Sequence, residues 1–157
     1  MREMRVVILA ILAILAGAPR QTEGQIGYLW THGELLQKAD LAVIAECLET
    51  VDTGRVRSHP SLTPPLPVHE LQTTFRVAAV LKGSGVEAVG AEVRLRHYRY
   101  TAEVAKGGLV NVGSHLGLRP SHSYLLFLVR RPDGVFEPLS GHTFPEDSVY
   151  RLEKAQG

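Results

Sequence analysis

Ser123-Tyr-Leu-Leu-Phe-Leu-Val-Arg130, followed at once by Arg131-Pro-Asp-Gly134, is the stretch on which the fold turns. Six apolar residues in a row make this the strongest buried strand of the chain. Arg131-Pro-Asp-Gly134 then carries hairpin chemistry: Pro132 presets the entry and Gly134 supplies a positive φ. Val135 to Leu139 is therefore predicted to return antiparallel to 123–130, and 148–153 to add a short last strand.

The rest of the chain reads in the same way. Leu41-Ala-Val-Ile-Ala-Glu-Cys-Leu48 opens a second apolar run, and 41–51 has the length of a central strand. Leu71 to Leu81 alternates. Leu71, Thr73, Phe75, Val77, Ala79 and Leu81 take one face and Gln72, Thr74, Arg76, Ala78, Val80 and Lys82 the other, the pattern of a half-buried strand. Lys82-Gly-Ser-Gly85 is predicted to be a turn, and 91–100 a further alternating strand. The segment 101–112, broken by Gly107-Gly108, reads as another hairpin or a loose insertion. Pro60, Pro64, Pro65 and Pro67 remove amide donors, so 52–70 is expected to be a long proline-rich loop. Ahead of the strands, Thr31-His-Gly-Glu34 has the spacing of a capping box and predicts a short helix over 32–39, ended by Asp40. Five or more strands with one short N-terminal helix predict a mainly β domain. The expected architecture is a small antiparallel closed barrel of the oligonucleotide/oligosaccharide-binding (OB) type, with a small sandwich as the alternative.

The N-terminus predicts a destination. Arg2 and Arg5 precede the unbroken apolar run 6–16, and Ala16-Gly17-Ala18 offers small residues of the kind a signal peptidase accepts. The run is shorter than the roughly 20 residues that span a bilayer, so 1–18 is expected to be a cleaved export signal, with cutting as late as Gly24 allowed. No cysteine lies near the junction to carry a lipid, so no stable membrane anchor is expected. Residues 25–157 are expected to form a single domain. The destination is the periplasm or the exterior.

Charge narrows the partners. The chain holds 17 basic and 16 acidic residues; without Arg2, Arg5 and Glu3 the remainder carries 15 of each. A neutral domain argues against general nucleic-acid binding and against adhesion to anionic membranes. Cys47 is the single cysteine, so no internal disulfide can form. Within an apolar run it is expected to be buried and inert.

Catalytic signatures are sparse. The seven histidines, His32, His59, His69, His97, His115, His122 and His142, include no pair at the short spacing that zinc sites use. Gly113-Ser-His-Leu-Gly117 sets its serine one place too early for a nucleophile elbow, and Lys82-Gly-Ser-Gly85 lacks the glycine spacing of a phosphate loop. No metal and no cofactor is expected. The most unusual local composition is Arg94-Leu-Arg-His-Tyr-Arg-Tyr100. On a strand, Arg94, Arg96, Tyr98 and Tyr100 share one face, able to fork anions and stack sugars. The plain alternative is an exposed face whose arginines pair with neighbouring acids.

Ala39-Asp-Leu-Ala-Val-Ile-Ala-Glu-Cys47, Thr74-Phe-Arg-Val-Ala-Ala-Val-Leu-Lys-Gly83 and Tyr124-Leu-Leu-Phe-Leu128 after Gly117-Leu-Arg-Pro-Ser121 occur in this order. The order resembles the barrel of netrin-like modules, tissue inhibitors of metalloproteinases and similar exported bacterial domains, over about residues 35–130. The resemblance implies the barrel rather than an activity. Those inhibitors reach their target's zinc through an amino-terminal cysteine and are stapled by disulfides. This chain has neither, so no inhibitory residue carries over. The expectation is an exported, non-enzymatic binding module for a protein partner or an anionic glycan, with no nucleic-acid partner. A protease-inhibitor-like domain and a small metal-dependent or hydrolytic enzyme are the alternatives.

Overall fold

The computed structural model describes residues 30–83, 87–107 and 115–153. The expected export signal with its junction, Ser84-Gly85 of the expected turn, and 108–112 of the 101–112 segment lie outside the described residues. Helix α1 (His32–Lys38) leads into β1 (Leu41–Ser58), β2 (Pro67–Lys82) and β3 (Glu92–Tyr100). Helix α2 (Ala102–Lys106), β4 (Ser123–Arg130) and β5 (Phe136–Pro138) follow, and a 3-10 turn (Pro145–Ser148) runs into β6 (Val149–Leu152).

The chain is mainly β, a single six-stranded sheet in the order β1-β2-β3-β5-β4-β6. Because β1 also pairs with β4, five of the strands form a ring. The expected antiparallel closed barrel needs correcting at one link. β3 meets β5 in parallel, and through the single pair Leu95↔Phe136. The ring is therefore only partly closed, because β5 is three residues long and its hairpin with β4 occupies most of its pairing capacity. Two α-helices are described where one was expected.

β1 and β4 carry the longest apolar runs because both of their faces are covered. Toward the ring interior, Val43 and Cys47 of β1 and Leu126 and Leu128 of β4 pack with Phe75, Val77 and Leu95. On the opposite face Ala42 and Ile44 of β1 meet Leu125 and Phe127 of β4 beneath Leu35 and Ala39. Full burial of a side chain such as Leu35 or Phe127 contributes about 1.5–3 kcal/mol. The capping box starts α1 as read: Glu34 N–H donates to Thr31 Oγ1 at 3.2 Å and Thr31 N–H to Glu34 Oε2 at 2.9 Å. Asp40 ties the end of the helix to β4. Its N–H donates to the Leu128 carbonyl at 2.9 Å, and its carboxylate accepts from Arg130 N–H at 2.8 Å.

The expected loop 52–70 shrinks to 59–66. Residues 52–58 contain no proline and stay paired with β2, while Pro67 takes the first position of its strand, where a missing donor costs nothing. Asp52-Thr-Gly54, the start of the expected loop, forms a bulge inside the ladder. Pairing passes from Asp52↔Leu71 to Val56↔His69, and Gly54 absorbs the extra length at φ 73. The Asp52 carboxylate accepts from Gly54 N–H at 2.8 Å.

Candidate functional site

β3 sorts its side chains between two surroundings. Val93, Leu95 and His97 face the ring interior, and Arg94, Arg96, Tyr98 and Tyr100 share the outer face as the alternation predicts. The outer face is not an open platform. Loop 59–66 and the loop after β5 fold over its far end, so Tyr98 is only 6% exposed. Its ring meets His142 edge to face with centroids 4.6 Å apart, and His59 stacks on Tyr100 at 5.9 Å. Burial pushes the Tyr98 phenol up, reinforced by the Glu137 carboxylate.

Each guanidinium of this face has a different fate. Arg96 is ion-paired with Asp133 in the β4–β5 turn, and its Nη1 lies 3.4 Å from Glu137 Oε1. Burial alone lowers the Arg96 pKa; the hydrogen bond and charge of Asp133 more than restore it. Arg94 is exposed and beside a shallow concavity of about 200 Å³, lined also by Glu87, Arg130 and Phe136. There Arg130 lies over the Phe136 ring at 4.6 Å and pairs with Glu87.

Glu137 is the hub that sequence reading missed. Only 6% exposed, it accepts from Arg131 Nε at 2.5 Å and lies 3.4 Å from His142 Nε2. Burial raises its pKa, but the His142 and Arg131 hydrogen bonds outweigh that and hold it down to about 2. Glu70 is a second buried carboxylate, bonded by Arg57 Nε at 2.6 Å and by Thr53 Oγ1 at 3.3 Å. The hairpin was the available signal, since Glu137 faces Val129 across it and so lies diagonal to Arg131 on the same face.

Three histidines are buried and engaged. His59 Nε2 lies 3.2 Å from the His142 carbonyl, and its Nδ1 accepts from Ser61 N–H at 3.2 Å. Burial lowers the His59 pKa; the bond to the His142 carbonyl opposes this and the His142 charge adds to it. Inside the ring, His97 Nε2 shares a 2.8 Å hydrogen bond with Thr73 Oγ1, and its Nδ1 has no partner among the described residues. Burial, then repulsion from His115 and His142, pushes His97 down to about 3. Toward the solvent end of this interior, Asp52 lies between Arg99 at 3.3 Å and His69 at 3.7 Å. Among the described residues no three histidine, cysteine or acidic side chains are placed to hold a metal ion. Cys47 is fully buried.

A second feature is backbone, not side chain. β1 pairs with β4 from Leu41↔Leu128 to Glu46↔Ser123 and then leaves it. Its pairing with β2 continues to Ser58↔Pro67, so over 49–58 one edge of β1 meets no strand among the described residues. Val51 and Val56 on this stretch are 45% and 58% exposed. Compared with known proteins, the chain matches no family model, no curated protein and no solved structure.

Proposed function

We propose that this chain is an exported, non-enzymatic binding module on a partly open OB-type barrel, and that it takes an extended segment of a protein partner along residues 49–58. The carrying observation is that, among the described residues, β1 pairs on one side alone over 49–58. A strand edge with free amides and carbonyls is a template for strand addition. Val51 and Val56 offer apolar contacts there, and the exposed Glu49 adds a charge beside them. The bulge at 52–56 divides the edge into two short halves, which limits indiscriminate pairing.

The same geometry favours a protein over an anionic glycan. Of the four residues on the outer face of β3, Arg96 is neutralised by Asp133 and Glu137, and Tyr98 and Tyr100 lie against His59. Arg94 alone remains for an anion. The non-enzymatic reading is supported by the buried imidazoles of His59, His97 and His142, each bonded to a carbonyl, hydroxyl or carboxylate of the chain itself.

The test is site-specific photo-crosslinking in the native compartment, with the reactive side chain at Val56 and, as control, at the equally solvent-facing Val89. A protein adduct at Val56 that is absent at Val89 and lost in Val51→Lys supports the reading. Adducts at neither position, or the same adducts at both, overturn it.

A further inference from the structure

The His59 imidazole joins loop 59–66 to the loop after β5, and its two hydrogen bonds fit one protonation state. A backbone amide can only donate, so the Ser61 N–H bonded to His59 Nδ1 requires a lone pair on that nitrogen. A carbonyl can only accept, so the contact of His59 Nε2 with the His142 carbonyl requires a proton there. The neutral Nε2–H tautomer satisfies both. A proton on Nδ1 destroys the acceptor for Ser61 and places a charge on a residue that is 2% exposed.

Among the described residues, the groups around His59 give that charge no counterion of its own. Tyr98 and Tyr100 face it from β3, and His142 from the loop after β5. Glu137 on β5 already carries Arg131, Arg96 and His142. Glu70 on β2 already carries Arg57 and Arg55 of β1. Ser61 and Leu66 contribute backbone groups from the loop itself.

We propose that loop 59–66 is an acid-released latch: protonation of His59 frees the loop and uncovers Tyr100 and the flank of Tyr98 that His142 does not cover. The release is local. His59 N–H donates to the Leu66 carbonyl at 2.8 Å, a bond with no titrating group, so the stem of the hairpin stays closed while the loop lifts. Burial places the transition below the ordinary imidazole range, so the latch is shut at neutral pH and opens in acid. Opening bares aromatic surface beside Arg57 and Arg96 that the neutral form hides. This device is independent of the edge of β1.

The experiment is nuclear magnetic resonance on the isotope-labelled chain, following imidazole nitrogen shifts and amide protection factors through an acid titration. At neutral pH the His59 nitrogen shifts should report the Nε2–H tautomer. The protection factor of the Ser61 amide should then drop, in step with His59 titration, at least about tenfold further than those of Thr73 and Leu95, which follow the stability of the whole fold. In His59→Gln and in His59→Phe, which keeps a ring on Tyr100, Ser61 protection should no longer follow pH. Retained wild-type protection below the His59 transition overturns the latch. So does loss in step with Thr73 and Leu95, or the same pH step in either variant. Ladder amides measured in the same spectra show that each variant is folded.

Discussion

His97 and Thr73 share a 2.8 Å hydrogen bond inside the ring of strands, and Thr73 Oγ1 lies a further 2.6 Å from Thr50 Oγ1. The chain of three polar side chains links β3, β2 and β1 where the apolar interior gives way toward the solvent end. It also fixes a pH dependence. An unfolded imidazole titrates near 6.5, whereas His97 in the fold is pushed down to about 3. The folded chain resists a proton that the unfolded chain accepts. Stability from neutral His97 is therefore complete above about pH 6.5 and drains as the pH falls toward 3, a loss on the order of 4 kcal/mol. Urea midpoints should decline through this window in the wild type and more shallowly in His97→Leu, where Thr73 keeps Thr50. Equal slopes would contradict the assignment.

Glu137 acts in a lower window and by the opposite sign. Its folded pKa is depressed from 4.5 to about 2, so its contribution is present above about pH 4.5 and is lost as the pH falls through 2. Glu137→Gln removes the charge that Arg131, Arg96 and His142 share and turns one acceptor oxygen into an amide donor, and should cost about 3 kcal/mol at neutral pH by chemical denaturation. A cost under about 0.5 kcal/mol would mean the carboxylate is solvated rather than bridging.

Cys47 should behave as an inert thiol. Burial raises its pKa above 9.0, with Glu46 adding to the effect. A colorimetric thiol reagent should leave the native protein unlabelled and react with one equivalent once the chain is unfolded in denaturant. Prompt labelling under native conditions would show that β1 opens locally.

The cap and the buried face of α1 should differ in importance. Thr31→Ala removes the N-cap and should cost about 1 kcal/mol. Leu35→Ala empties a fully buried position against the β1–β4 pair and should cost about 2–5 kcal/mol. Thermal and urea unfolding of the two variants rank them directly, and a reversed order would mean that capping rather than docking holds the helix.

Much of this fold is written locally. β4 has the predicted bounds, Thr31 and Glu34 form the predicted capping box, and the alternation of 71–81 places Phe75 and Val77 inward. What local reading missed has a common cause. Asp52-Thr-Gly54 carries the chemistry of a turn, yet long-range pairing with β2 keeps the strand going and uses the glycine as a bulge. The parallel contact of Leu95 with Phe136 leaves no periodic trace in either segment. The candidate face shows the same division. Period-two spacing put Arg94, Arg96, Tyr98 and Tyr100 together, but the cover over the two tyrosines comes from His59 and His142, which are 83 residues apart.

The pairing of β1 with β4 also sets an order of events during synthesis. Residues 41–46 leave the ribosome early, yet their partner strand is not made until residue 130 has been added. In that interval the β1–β2–β3 meander can form, but it carries the edge of Leu41, Ala42, Val43 and Ile44 bare. A naked apolar edge of this kind recruits other chains as readily as its own β4. Productive folding therefore depends on keeping the half-made meander solitary until the last third of the chain arrives to claim it.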